Sequence, residues 1–182
     1  MKKGGPGQLF TPFGLTVLVL LGAVSVALRL AYLPWRWERT KEDLRRRFPG
    51  VQHVDAKDLQ EWFAKGGEAK PVLLDVRAKA NFDFSHLPHA RHMAPSDTPA
   101  ALGISEKSDQ SLVVYDEVGE GAFAVAESLT KRGYPRVQVI EGGIFDWANR
   151  GLPLDGPGGA TGKVRAGESK YSPLLKRRAT AQ

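Results

Sequence analysis

Between residues 51 and 153, short apolar runs alternate with segments whose apolar residues recur every three or four positions. Val51 to Val54 reads as a short first strand. Asp55, with Asp58 three residues on, marks a helix start for Ala56 to Lys65, which Gly66-Gly67 closes. Pro71 to Asp75 and Ser111 to Tyr115 are apolar runs of strand length, as expected of strands covered on both sides. The stretch 84–100 has no period and is expected to be irregular. A helix from Gly121 to Arg132 buries Phe123, Ala126 and Leu129 and stops at Gly133. Val137 to Ile140 is the last strand, and Ile144 to Asn149 the last helix before Gly151. Strands alternating with helices predict an α/β fold, a parallel sheet flanked by helices on both faces.

Ahead of this domain, Leu9 to Leu28 is almost continuously apolar, and no charge occurs between Gly4 and Leu28. About 20 such residues in a helix suit the hydrocarbon core of a bilayer. Arg29 can snorkel, Tyr32, Trp35 and Trp37 suit an interfacial belt, and Pro34 suits a helix exit. The expected map is a short tail 1–8, a transmembrane helix 9–33 and a basic juxtamembrane linker 34–50. The folded domain 51–153 and a Gly-rich, then basic tail 154–182 without intrinsic structure complete it. Arg29, Arg36, Arg39, Lys41, Arg45, Arg46 and Arg47 outweigh Lys2 and Lys3, so the positive-inside rule predicts a single-pass protein with a cytoplasmic domain. A rival reading takes Ser25-Val26-Ala27 as an export cleavage site that releases a periplasmic domain. Arg29, Arg36 and Arg39 just behind that site weigh against it.

Charge sharpens the picture. The 182 residues carry a formal net charge of +6, but residues 51–153 hold eleven basic against fifteen acidic side chains. The basicity sits in the flanks, nine against three in residues 1–50 and six against two in residues 154–182. A nucleic-acid-binding domain would place a basic stripe on its folded surface, so no nucleic acid is expected. Basic flanks instead suit anionic lipid or an acidic partner. The chain has no cysteine, which excludes disulfides, thiolate metal sites and cysteine catalysis.

The chemistry should sit where the strand ending at Tyr115 runs through Asp116, Glu117, Val118, Gly119, Glu120 and Gly121 into a helix. A strand, a tight glycine-containing loop and a helix N-terminus form a cradle of backbone amides that favours an anion. Here the loop supplies Asp116, Glu117 and Glu120 and neither Lys nor Arg. These carboxylates can take the amide bonds themselves and would repel an anionic substrate.

The flanking residues complete a resemblance. Leu73-Leu74-Asp75-Val76-Arg77, Phe82, His86-Leu87-Pro88 and Ala90 resemble the first signature of rhodanese-like domains. Gly133-Tyr134, Val137, Gly142-Gly143, Trp147 and Gly151-Leu152-Pro153 look like their C-terminal signature. In that family a cysteine that carries a persulfide ends the strand where Asp116 stands, and a common arginine falls at Gly121. Asn81 replaces a usual acid, and Ser85 and His89 replace usual glycines. The resemblance implies the family fold with Asp75, Arg77, His86, Gly142, Gly143 and Trp147 as framework, and no sulfur substrate, because aspartate carries no transferable sulfur.

The expected function is therefore non-catalytic: a membrane-anchored structural or interaction subunit of a larger integral-membrane complex, respiratory or photosynthetic, with the bilayer and complex subunits as partners and no cofactor. One alternative uses the acidic loop 116–120 as a divalent-metal sensor or enzyme site. His86, His89 and His92 recur every third residue, but Pro88 disfavours the helix that would converge them, so no metal ligand is assigned.

Overall fold

Leu73 and Val113 point to one side of a sheet while Leu74, Leu112 and Val114 point to the other, and both sides are buried. That two-sided burial follows from the period of two along a strand, and it explains why these strands read as unbroken apolar runs. The computed structural model describes residues 12–65, 69–94, 96–106, 109–166 and 169–181. The expected tail 1–8 and the helix stop at Gly66-Gly67 lie outside them.

In chain order the elements are α1 (Pro12–Arg47), β1 (Gln52–Val54), α2 (Ala56–Ala64), β2 (Val72–Asp75), α3 (Lys79–Phe84) and β3 (Arg91–His92). They continue with β4 (Leu112–Tyr115), α4 (Glu120–Lys131), β5 (Val137–Ile140), α5 (Gly143–Asn149), β6 (Leu154–Gly156) and β7 (Gly159–Thr161). The sheet is parallel in the order β1-β5-β4-β2-β3, with Leu74 opposite Val114 and Val114 opposite Val139. On one face α2 and α5 pack Leu59, Ile144 and Phe145 over Leu73, Val113 and Ile140. On the other, α4 lays Phe123, Ala126 and Leu129 over Leu74, Val114 and Val139. Phe123 is 1% exposed, and burying such a side chain contributes roughly 2–3 kcal/mol. The α/β sheet flanked by helices is thus the expected one. The stretch 84–100, expected to be irregular, holds β3, which Arg91 and His92 add to the sheet edge by pairing with β2.

The chain divides into two units, Met1–Arg36 and Trp37–Gln182. In the first, Leu18, Val19, Leu20, Leu21 and Leu28 are exposed on α1, and Ser25 Oγ donates to the Leu21 carbonyl at 2.7 Å. Among the described residues no helix is long and apolar enough to cross a membrane. This corrects the expected transmembrane helix 9–33 and the single-pass localisation built on it. From Pro12 to Leu28 the charge-free helix has 17 residues, about 25 Å at 1.5 Å per residue. Within the described helix the apolar stretch then gives way to charge, with Arg36, Glu38, Arg39 and Lys41 following. The helix also runs through Pro34 instead of ending there.

In the second unit the expected linker 34–50 is, from Trp37 to Arg47, a docked part of α1. Leu44 is buried beside Phe123, Phe48 stacks on Phe123 with centroids 5.8 Å apart, and Arg45 grips Glu141 at 2.5 and 2.6 Å. The tail 154–182, expected to lack structure, instead folds onto the domain. β6 and β7 form an antiparallel hairpin, and Val164, Leu174, Leu175 and Ala179 enter the core. Asn149 fastens them: its Nδ2 donates to the Leu174 carbonyl at 2.8 Å and its Oδ1 accepts from Lys176 N at 2.7 Å. Four spaced apolar residues supply enough buried surface to outweigh the glycine and charge content that composition registers.

Candidate functional site

The cradle lies at the C-terminal end of β4, where α/β sheets place their ligand crevices. Gly119 caps α4 at φ 110°, a left-handed conformation that closes the turn without a side-chain penalty. Asp116, 7% exposed, turns its carboxylate into the amides of this turn. Oδ1 accepts from Val118 N at 3.0 Å and from Gly119 N, and Oδ2 accepts from Gly121 N at 2.6 Å and Ala122 N at 3.2 Å. One side chain therefore takes four amides at the positive end of α4. Burial pushes the Asp116 carboxyl above its ordinary value, and the four amides pull it back part of the way. Gly121 fits because even a Cβ there would stand 3.0 Å from Asp116 Oδ2.

Glu117 and Glu120, also expected to take cradle amides, go elsewhere. Glu117 is half-buried and accepts from Asn81 Nδ2 at 3.3 Å. Burial and then the neighbouring Asp116 charge raise its carboxyl above the usual range. Glu120 accepts from Lys170 Nζ at 3.1 Å and the Tyr171 hydroxyl at 3.0 Å, with Arg47 at 3.5 Å. The Lys170 bond foremost holds the Glu120 carboxyl below the usual range. Asn81, Arg47, Lys170 and Tyr171 were missed by sequence reasoning. They reach the loop across 36, 73, 50 and 51 residues, a separation that leaves no local pattern.

The framework residues assemble around this loop. Asp75 and Arg77 are a fully buried pair: Arg77 N and Nε each donate to Asp75 Oδ1 at 3.0 Å, and Nη2 donates to Oδ2 at 2.7 Å. Arg77 Nη2 also donates to the Ser85 carbonyl at 2.7 Å, which ties the end of β2 to the segment after α3. Burial opposes the Arg77 charge, but the bonds to Asp75 outweigh it and raise its pKa. Tyr115 lies beneath, its hydroxyl accepting from Leu87 N at 3.1 Å, and burial pushes its pKa well up.

Gly142 and Gly143 work through backbone. Both have positive φ, 78° and 56°, and a Cβ on Gly143 would stand 2.7 Å from the Glu117 carbonyl oxygen. This close approach lets Ile144 N donate to the Asp116 carbonyl at 2.9 Å and Phe145 N to the Glu117 carbonyl at 3.0 Å. The start of α5 thereby fixes the loop from below. Trp147 is a core aromatic whose Nε1 donates to the Pro153 carbonyl at 2.8 Å. His86 stacks on Phe82 at 4.1 Å, sets Nδ1 2.9 Å from the Phe82 carbonyl and exchanges backbone bonds with Asp155. His92 Nε2 lies 2.8 Å from the Arg77 carbonyl, and His89 takes a left-handed φ of 62°. The three rings do not converge, and among the described residues no group of three or more His, Asp or Glu is placed to hold a metal.

A crevice of about 360 Å³ opens beside the loop, with Val76, Met93, Val125 and Leu129 as its apolar wall and Asp116 and Glu117 at one side. The chain offers this crevice an acidic, amide-satisfied loop, with neither a nucleophilic sulfur nor an empty anion cradle.

A sequence profile for the Rhodanese family, described as a rhodanese-like domain, matches residues 55–150. A "Sulfurtransferase" of Allochromatium vinosum is 28% identical over 109 residues, 60% of this chain and 99% of that protein. The "Uncharacterized protein YibN" of Escherichia coli is 33% identical over 85 residues, 46% of this chain and 59% of that protein. The crystal structure of the BH2092 protein from Bacillus halodurans superposes with a TM-score of 0.52 at 21% identity, covering 67% of this chain and 87% of its own. The Alr3790 protein from Anabaena gives 0.51 at 24% identity, covering 57% of this chain and 80% of its own. At these identities the structural likeness is one of fold. Because the profile spans more than half of its residues, this chain belongs to the rhodanese-like domain family.

Proposed function

We propose that this chain is a non-catalytic rhodanese-like module that works by binding a protein partner through the acidic end of its sheet. The observation that carries the reading is the Asp116 carboxylate seated on four backbone amides. Those amides are the groups that would stabilise a bound anion, and an internal acid already holds them. The relative from Allochromatium vinosum bears the name sulfurtransferase, whereas this chain has no cysteine anywhere to carry sulfur. Membrane-complex partners rested on the expected spanning helix, and among the described residues no helix is long and apolar enough to cross a membrane. Among the described residues no group of three or more His, Asp or Glu supports the metal alternative, and Glu120 is engaged by Lys170 and Tyr171.

The test is a thiosulfate-to-cyanide sulfur-transfer assay on the purified full chain, followed by crosslinking mass spectrometry of the tagged protein in its host. Thiocyanate formation at the uncatalysed rate, with crosslinks from Lys131 or Lys170 to one protein, is the expected result. Turnover above background, or a solitary monomer without crosslinks, overturns the reading.

A further inference from the structure

On the α2 and α5 side of the sheet, apart from the acidic loop, lies a pocket of about 170 Å³. Its walls are Phe63, Leu73, Pro88, Trp147 and Pro153. Leu73 and Trp147 are buried side chains of the core, and Trp147 Nε1 donates to the Pro153 carbonyl at 2.8 Å. That bond fixes two of the walls against each other, and two of the five are prolines, so the pocket is formed before any occupant arrives. An apolar cavity of about 150 Å³ holds one benzene ring, so this volume suits a single aromatic ring.

Three polar side chains stand at the rim: Gln60 from α2, Lys70 just before β2, and His89. All three residues are exposed, and among the described residues none of these side chains has a hydrogen bond or ion pair. Among the described residues that line the pocket, Lys70 is the only full cation and none is a carboxylate. This is a local exception on a domain where acids outnumber bases by fifteen to eleven. A negative group carried by the ring therefore meets an attractive charge at the mouth and no opposing acid.

His89 is held there against its backbone preference. Residues 87–90 form a turn closed by Ala90 N donating to the Leu87 carbonyl at 3.0 Å, with Pro88 second and His89 third. The third position of such a turn takes a positive φ and suits glycine. His89 adopts 62°, and no other described non-glycine residue has a positive φ. A strained residue at the mouth of a preformed pocket points to a side chain kept for binding.

We propose that this pocket binds a small aromatic carboxylate, its ring against Phe63, Leu73 and Trp147 and its carboxylate at the Lys70 and His89 rim. The inference goes beyond the proposed function, since these residues share none with the 116–121 loop or with the crevice beside it. A free aromatic acid and the C-terminal phenylalanine of a protein present the same chemistry, and the probes separate them.

The test is an NMR titration of the isotope-labelled full chain, read at the Trp147 indole N–H and the amides of Lys70 and His89. Phenylacetate is expected to shift these signals saturably, with half-saturation on the order of 1 mM for so small a ligand. Neutral phenylacetamide should bind about fivefold more weakly, and cationic phenethylamine more weakly still. Lys70→Glu, at an exposed position, should reverse that order and favour phenethylamine. His89→Gly keeps a turn that suits glycine and should weaken phenylacetate about threefold through the lost donor. N-acetylphenylalanine binding more tightly than phenylacetate assigns the occupant to a protein C-terminus, and weaker binding assigns it to a free acid. The proposal is overturned if about 10 mM phenylacetate, ten times the expected half-saturation, moves none of these signals. It is equally overturned if Lys70→Glu leaves the order of the three ligands unchanged. Neither result touches the binding module proposed for the acidic loop, and sulfur-transfer turnover there would leave this pocket standing.

Discussion

Asp116 Oδ2 and the amide nitrogen of Gly121 are 2.6 Å apart, so a residue at the end of a strand caps the helix that starts four residues later. The same carboxylate also holds Val118, Gly119 and Ala122, and the loop keeps its shape around an internal anion. The carboxylate is thus part of the loop's own framework.

Asp116→Ala should therefore cost stability. It leaves four amides facing a pocket without an acceptor, at an expected cost of about 2–4 kcal/mol. Urea unfolding followed by circular dichroism checks this through the midpoint. A loss below roughly 0.5 kcal/mol would mean that water replaces the carboxylate at no penalty.

Glu117 makes stability pH-dependent. Its folded pKa is raised by burial and by Asp116, so its favourable contribution is present below its ordinary value and is lost as pH rises through the folded value. Glu117→Gln keeps the acceptor for Asn81 and removes the charge. The variant should melt above wild type at neutral pH, with the gap closing as pH falls below the ordinary glutamate range. Calorimetry across that window reads the sign directly.

Gly143→Ala should be among the most damaging single-methyl changes in the domain. φ is 56°, and the new Cβ would meet the Glu117 carbonyl at 2.7 Å, against backbone that cannot swing aside. A loss of about 2–4 kcal/mol is expected. Gly158→Ala, with open space around its Cα, serves as the control and should lie within about 0.5 kcal/mol of wild type.

Asn149→Ala removes the donor to Leu174 and the acceptor for Lys176 from a residue 7% exposed. A cost of about 1–3 kcal/mol is expected. Hydrogen exchange should place the new mobility in residues 172–176 and leave β2, β4 and β5 protected.

Much of the fold was legible in the chain itself. The apolar runs at Leu73, Val113 and Val139 could be buried only as strands covered on both sides, and their alternation with helical periods dictated a parallel sheet. The missing cysteine and the acid at position 116 were equally plain, because residue identity alone settles what atoms a loop can offer. β3 was hidden, since Arg91 and His92 carry no apolar signal and are made a strand by their neighbour β2. The apolar N-terminal run was read as a spanning helix over 9–33, whereas among the described residues no helix is long and apolar enough to cross a membrane.

The sequence by itself determined the sheet, the family signature and the chemistry available to the loop, because these depend on local periodicity and on which atoms are present. Tertiary structure alone decided which acid took the amides, that Arg45 would bind Glu141, and that Lys170 and Tyr171 would meet Glu120. Those pairings join residues many positions apart, and only packing sets the distance between them.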